Sequence, residues 1–385
     1  MAMAKKWQIA QTLRDEILRG KFAASDRFPS ERALVRRFSV ARETVRAALR
    51  ELAEEHMIRR RIGKGTSVVA EQAREPRFAL LAPDVFYPFY MRIVRGIEAS
   101  LAGRVHDGGG LLTAALGAGS SRGRAAKAYE FAKVCVRERV SGVFFQPLQF
   151  ITEGERINRR ILSLFVEART PVVLLDSDIV APPSRSEFDL VGVDNTRIGY
   201  ELARHVIDAG ARRVMYFSNP LPAPTSLKRG TGVGIAAVEA GLPWGRECVF
   251  FANPSDIVAA RRVFSGSKRP DAIIAVNDFV ASKLLETLVA IGQRVPDDVL
   301  LAGVNGDSIA EQCMPKLTTA VQPCADIGGA AVDLMFARLA NPNAVPREIF
   351  LSASLIVRES TQPRHGVKFT KRARRGKCRK TRKAS

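Results

Sequence analysis

Arg42, Glu43, Thr44 and Arg46 stand within five consecutive positions. A guanidinium fork donates two parallel hydrogen bonds, a carboxylate accepts, and a hydroxyl does both. Such a set suits a flat edge that carries acceptors beside donors, as base edges do: arginine grips the O6 and N7 of guanine, and glutamate accepts from N4 of cytosine. Arg32 lies ten residues earlier, and Arg61-Ile62-Gly63-Lys64-Gly65-Thr66 follows as a basic turn whose glycines allow close backbone approach. Taken alone, the arginines read equally well as a solvated helix face.

A second chemistry lies further on, in polar residues just after apolar runs. Asp84 follows Phe78–Ala82, Gln146 follows Gly142–Phe145, and Asp176 follows Val172–Leu175. Asn219 follows Val214–Phe217, and Asn277-Asp278 follows Ala272–Val276. Carboxylates and amides that accept and donate are what a polyhydroxylated ligand requires, and Phe86, Tyr87 and Phe89 offer aromatic faces beside Asp84. Loop solvation or helix capping explains any one of these positions as well; Asp278 in particular could cap the helix that starts near Ser282.

The elements that must position the first set are short. Ile9, Leu13 and Ile17 recur every fourth residue and predict a helix that Gly20 stops. Ser30 caps a second helix with Ala33, Leu34 and Phe38 on one face. After a break at Ser39-Val40, a third carries Val45, Ala48, Leu49 and Leu52, with Arg42, Glu43 and Arg46 on the opposite side. The β-prone runs Met57–Arg60 and Thr66–Val69 then flank the glycine turn. Three helices and a hairpin in about 65 residues make a winged helix-turn-helix, whose second motif helix enters a DNA major groove.

From Phe78 to about Thr361 the rhythm changes to near-continuous apolar strands alternating with helices. That predicts α/β architecture with parallel sheets covered on both faces, and nine or more strands suit two doubly wound lobes. Ligands of such sheets sit beyond the carboxyl ends of the strands, here facing a cleft between lobes. The expected division is 1–70 as the winged helix, 71–77 as linker, 78–361 as the two-lobed domain and 362–385 as a disordered basic tail.

Charge follows this division. The 385 residues carry 60 Lys and Arg against 39 Asp and Glu, a formal net charge of +21. Residues 1–76 hold 17 basic and 10 acidic side chains, and residues 364–385 hold 11 basic and none acidic, so the long middle is almost neutral. A polyanionic partner is expected at the ends. The tail is open between salt-sensitive, sequence-independent DNA affinity and a solvated appendage. Five cysteines, far apart and without a C-x-x-C pair, suit reduced thiols and no zinc site. The apolar runs are too short for a membrane helix and the start lacks a secretory pattern, so a cytoplasmic protein is expected.

Three stretches carry a resemblance: Pro29-Ser30-Glu31-Arg32, Arg42-Glu43-Thr44-Val45-Arg46 and Gly63-Lys64-Gly65-Thr66. At these spacings residues 5–69 resemble the GntR family of winged-helix repressors. The resemblance implies DNA contacts by Arg32, Arg42, Thr44, Arg46, Gly63 and Lys64. Ala41 departs from it, since the family usually has a serine capping the recognition helix.

Residues 77–361 resemble the effector domain of the LacI family, itself similar to periplasmic sugar-binding proteins. The matching stretches include Leu81-Ala82-Pro83-Asp84, Val191-Gly192-Val193-Asp194-Asn195, Arg229 with Gly232, Ala275-Val276-Asn277-Asp278, Leu317-Thr318-Thr319, Gln322-Pro323 and Leu355–Ser360. By this resemblance Arg229 and Asp278 contact the ligand, with Asp84, Asn219 and Gln322 beside them. Val233, Cys324 and Asn305-Gly306 depart from the family's usual aromatic, Phe and acidic pair. The fusion of the two modules is similar to that of arabinose-repressor-like regulators.

Other chemistries fail on spacing. A P-loop needs G-x-x-x-x-G-K-[ST] between a strand and a helix, whereas here position 58 is Ile, Gly65 follows Lys64, and the flanks are hairpin-like. Gly230-Thr231-Gly232-Val233-Gly234 is not G-x-G-x-x-G, and His106 and His205 have no nucleophile or metal partner by spacing. The expectation is a DNA-binding transcriptional regulator, a repressor and not an enzyme, with no cofactor. Its partners are operator DNA, a sugar-like effector and a second copy of the chain, with no membrane. The alternative is a DNA-binding protein whose second domain only dimerises.

Overall fold

The computed structural model describes residues 2–18, 21–22, 28–55, 57–61, 65–68, 76–82, 88–105, 110–116, 120–149, 151–266 and 268–362. Among them the chain opens with α1 (Ala2–Leu18), α2 (Glu31–Phe38) and α3 (Arg42–Glu54), then β1 (Ile58–Arg61) and β2 (Gly65–Val68). The two strands pair antiparallel from Ile58↔Val68 to Arg61↔Gly65, which makes the expected hairpin. Ile9, Leu13 and Ile17 of α1 bury against Leu34, Val45, Leu49 and Leu52. Ser39, in the left-handed region at φ 49°, ends α2 and turns the chain into α3. Arg14 is buried on α1 and reaches across to Glu55 (2.9 and 2.6 Å), the C-cap of α3, and to Glu51 (3.5 Å) in its last turns.

The rest alternates strand and helix: β3 (Phe78–Ala82), α4 (Pro88–Ala102), β4 (Leu111–Ala115), α5 (Ser121–Arg137), β5 (Gly142–Phe145), α6 (Gly154–Glu167), β6 (Val172–Leu175) and β7 (Asp189–Val193). It continues as α7 (Asn195–Asp208), β8 (Val214–Ser218), α8 (Pro224–Glu239), β9 (Val249–Phe251), α9 (Ile257–Ser265), β10 (Ala272–Ala275) and α10 (Asp278–Ala290). Then come β11 (Leu300–Asn305), α11 (Ile309–Gln312), β12 (Thr318–Val321), α12 (Cys324–Ala340), β13 (Glu348–Leu351) and β14 (Ser354–Ile356).

The chain folds into two units. One holds Met1–Asp194, Leu221–Leu227 and Gln322–Ala353; the other holds Asn195–Pro220, Lys228–Val321 and Ser354–Ser385. The first unit's sheet runs β13-β7-β6-β5-β3-β4, every pair parallel. The second runs β14-β12-β11-β10-β8-β9, parallel except for antiparallel β14. Both have the same doubly wound order, so topology repeats where no sequence repeat is visible. In each, the order reverses beside the first strand of the unit, between β3 and β5 and between β8 and β10. The crevice at such a switch point is where ligands of open α/β sheets bind.

The strands alternate with helices as the apolar rhythm leads one to expect, and short edge strands β13 and β14 close the two sheets. The glycine-rich stretch 230–234 lies inside α8. A Cβ on Gly232 would stand 1.9 Å from the Thr196 carbonyl oxygen, and one on Gly199 2.0 Å from that of Arg229. These glycines therefore serve the contact of α7 with α8, not a phosphate. The second unit's end is fastened by side chains: Ser360 Oγ donates to the Leu301 carbonyl (2.6 Å), and the Thr318 amide donates to Ser360 Oγ (2.8 Å). Cys135 is buried, and burial pushes its thiol up to about 12, which keeps it protonated and unreactive.

Candidate DNA-reading and ligand sites

Ser30 accepts from the Ala33 amide at 3.2 Å and so starts α2. Ala41 holds the N-cap position of α3 in extended geometry (φ −62°, ψ 147°) without a side-chain cap, as the departure at that position leads one to expect. Val45, Ala48, Leu49 and Leu52 face the core. Arg42 and Glu43 are exposed, while Thr44 and Arg46 are half-buried, so the polar set lies on the outer side of the first turns. Arg32 is exposed on α2. Gly63 and Lys64 lie outside the described residues.

The arginines are held from one side. Arg42 Nε donates to Glu31 Oε2 at 3.1 Å, Arg46 Nε donates to the same oxygen at 3.2 Å, and Arg46 Nη1 donates to Glu43 at 3.0 Å. The bonds to Glu31 and Glu43 hold the Arg46 guanidinium above its ordinary pKa. The Glu16 carboxylate sits below its usual range, chiefly because Arg37 donates to it from α2, which ties α2 to α1.

In the second unit, Asn219 and Asp278 flank the switch point, Asn219 just after β8 and Asp278 at the start of α10 beyond β10. Arg229 comes from α8 to the same edge. Its Nη1 donates to the Val276 carbonyl at 2.6 Å, and its Nε donates to Asn195 Oδ1 at 2.7 Å. Asn195, quoted above only within a matching stretch, is thus what orients Arg229.

Asn277, not Asp278, caps α10, accepting from the Val280 amide at 2.8 Å. Asp278 is fully buried, and its Oδ2 accepts from the Asp307 amide at 2.8 Å. Burial drives its carboxyl up to about 7, partly opposed by the Thr319 hydroxyl and the Asp307 amide. The turn around it is special: Asn305 has φ 116° and donates through Nδ2 to Asp307 (3.1 Å), and Gly306 has φ 65°. Val233 and Cys324, the other two departures, are both buried.

Gln322, just after β12, is buried and belongs to the first unit. Asp84 and Phe86 lie outside the described residues. Gln146, which follows β5 at the first unit's switch point, is fully buried, and neither its amide oxygen nor its nitrogen has a partner among the described residues. Buried amides are ordinarily paired with protein groups, ordered water or a ligand. Only the rule about strand ends pointed to Gln146 from the sequence. Among the described residues no group of His, Cys, Asp and Glu is placed to hold a metal, and no helix is long and apolar enough to cross a membrane.

A winged helix with Arg42 exposed and Arg46 half-buried on the outer side of α3, joined to two switch-point sheets, defines a DNA-binding transcriptional regulator. Residues 5–68 match the family of bacterial regulatory proteins called gntR, and residues 203–361 match the periplasmic binding protein-like domain. The chain thus pairs a stretch similar to the gntR regulators with one similar to periplasmic binding protein-like domains. It is 25% identical to the arabinose metabolism transcriptional repressor of Geobacillus stearothermophilus over 378 residues, 94% of this chain and 98% of that one. To the HTH-type transcriptional regulator CelR of Thermobifida fusca it is 25% identical over 334 residues, 83% and 89% of the two chains. A solved transcriptional regulator CelR–cellobiose complex shares the fold with a TM-score of 0.63 at 24% identity, covering 83% of this chain and 91% of that one.

Proposed function

We propose that the chain is a repressor whose residues 1–70 grip operator DNA and whose residues 78–361 take up a small carbohydrate-like effector and pair with a second copy. The observation that carries the reading is the outward turn of α3, with Arg42 and Glu43 exposed above a fully apolar inner face. Arg42, Arg46, Thr44 and Glu43 address base edges in the major groove, Arg32 addresses a phosphate or base, and Gly63 and Lys64 approach the minor groove. Arg229, Asp278, Asn219, Gln322, Asp84 and Phe86 form the ligand's contacts, joined by Gln146. The Gln146 side-chain amide, buried at the end of β5 without a partner among the described residues, favours a bound guest over a domain that only dimerises. The named relatives supply the class: one represses arabinose metabolism, and a CelR structure holds cellobiose.

The protein acts by linkage in the cytoplasm, without catalysis. A ligand that binds one dimer geometry better than another shifts the spacing of two recognition helices and so the operator affinity. Duplexes selected from genomic fragments by the purified protein provide the test. Arg42→Ala is expected to lower affinity for them by about 1–3 kcal/mol while leaving the fold intact by circular dichroism. Unchanged selection by that variant overturns the DNA contact, and calorimetric titration over a panel of mono- and disaccharides without heat overturns the effector.

A further inference from the structure

Glu31 has no part in the reading above, yet its place in the winged helix gives it one. It is the first residue of α2, where a carboxylate is favoured by the helix dipole. Arg42 and Arg46 are four apart on α3, so they leave one face a turn apart and both meet Glu31 Oε2 through Nε. The Glu31 side chain is 17% exposed, against 66% for Arg42 and 41% for Arg46, so the anchor lies inward and the guanidiniums outward. An arginine held at Nε keeps its outer Nη1/Nη2 edge available for a bidentate contact. Among the described residues the two terminal amino groups of Arg42 make no bond, whereas Arg46 gives Nη1 to Glu43.

We infer that Glu31 is a positioning residue for DNA readout: it holds Arg42 and Arg46 from behind, so that Arg42 presents its outer edge to a base. The inference rests on the DNA-binding reading. Ordering the side chains before docking reduces the freedom lost on docking, which favours the matched sequence. The same carboxylate repels phosphates wherever the protein sits on DNA. Glu31 therefore strengthens specific binding and weakens non-specific binding, two effects of opposite sign that a purely structural carboxylate does not produce.

The experiment measures full-length wild type, Glu31→Gln and Glu31→Asp by fluorescence anisotropy on a genomic duplex that the wild type selects and on an unrelated duplex of equal length. Glu31→Gln is expected to bind the unrelated duplex a few-fold more tightly, with the ratio of the two affinities falling about tenfold. Glu31→Asp keeps the charge but withdraws it by one methylene, so its ratio falls without any gain on the unrelated duplex. The idea is overturned if both affinities move together in Glu31→Gln, or if the ratio stays at the wild-type value. Should Glu31→Gln not fold, the ratio for Glu31→Asp decides alone. A wild type that prefers no duplex sinks the DNA reading itself, which is a separate result.

Discussion

The side chains that matter most in this molecule are fixed by partners distant in sequence, and that decides which of them a sequence reveals. Arg42, Glu43 and Arg46 are legible because an amphipathic helix must put them opposite Val45 and Leu49. Glu31, Arg14 and Asn195 are not, because their partners lie 11 to 41 residues away and only the fold brings them together. Gln146 is a middle case: its place after a strand is visible, its unpaired burial is not. Asp278 gives the clearest residue-scale prediction. Its folded pKa, about 7, lies above the ordinary carboxylate value, so the folded state holds the proton more tightly than the unfolded chain does. The stability this contributes is complete below about pH 4 and is lost as pH rises to about 7. Asp278→Asn is expected to flatten that decline and to melt higher than wild type at pH 8. Parallel melting curves from pH 4 to pH 8 would refute the assignment.

At the level of helices and strands, patterns with strong periods were readable and those set by close packing were not. The apolar strands of both sheets and the three helices of the winged domain announce themselves. Helix α8 does not, since Gly230, Gly232 and Gly234 lower helical propensity, and each is set by a close neighbour: the Tyr216 ring at Gly230, the α7 backbone at Gly232 and the Trp244 ring at Gly234. Gly232→Ala must drive a methyl into the Thr196 carbonyl and is expected to cost about 1–3 kcal/mol or more, read from the urea midpoint. Strands β13 and β14 are short edges with exposed alternate residues, and β12 is a four-residue run rich in threonine, so none has the apolar length of a central strand. Ala41 offers the opposite experiment. Its backbone already has N-cap geometry, so Ala41→Ser is expected to stabilise α3 by about 1 kcal/mol. Hydrogen exchange at the Thr44 amide, which donates to the Ala41 carbonyl (3.0 Å), should slow. Unchanged exchange there argues that the first turn is set by the tertiary contacts alone.

Over the whole chain, the basic charge is gathered at the two ends. The winged helix supplies placed donors, whereas residues 364–385 supply eleven Lys and Arg and no acid, all outside the described residues. Deleting that segment is expected to flatten the dependence of non-specific affinity on salt while the preference between duplexes stays. An unchanged salt slope would leave the tail as a solvated appendage.

The interlaced path of the chain has a consequence for how such a regulator can arise or be re-engineered. Polypeptide passes from one sheet unit to the other after Asp194, Pro220, Leu227, Val321 and Ala353, and each sheet takes an edge strand from beyond residue 347. A cut at Pro220, Leu227 or Val321 strips both sheets of a strand, and one at Asp194 or Ala353 strips one of them, so a sensor half cannot be exchanged by a single crossover. A join ahead of β3 precedes every strand of both six-stranded sheets, so a different N-terminal head can be spliced on there with both left whole. Recombination that keeps folded offspring is therefore expected to favour that side of β3.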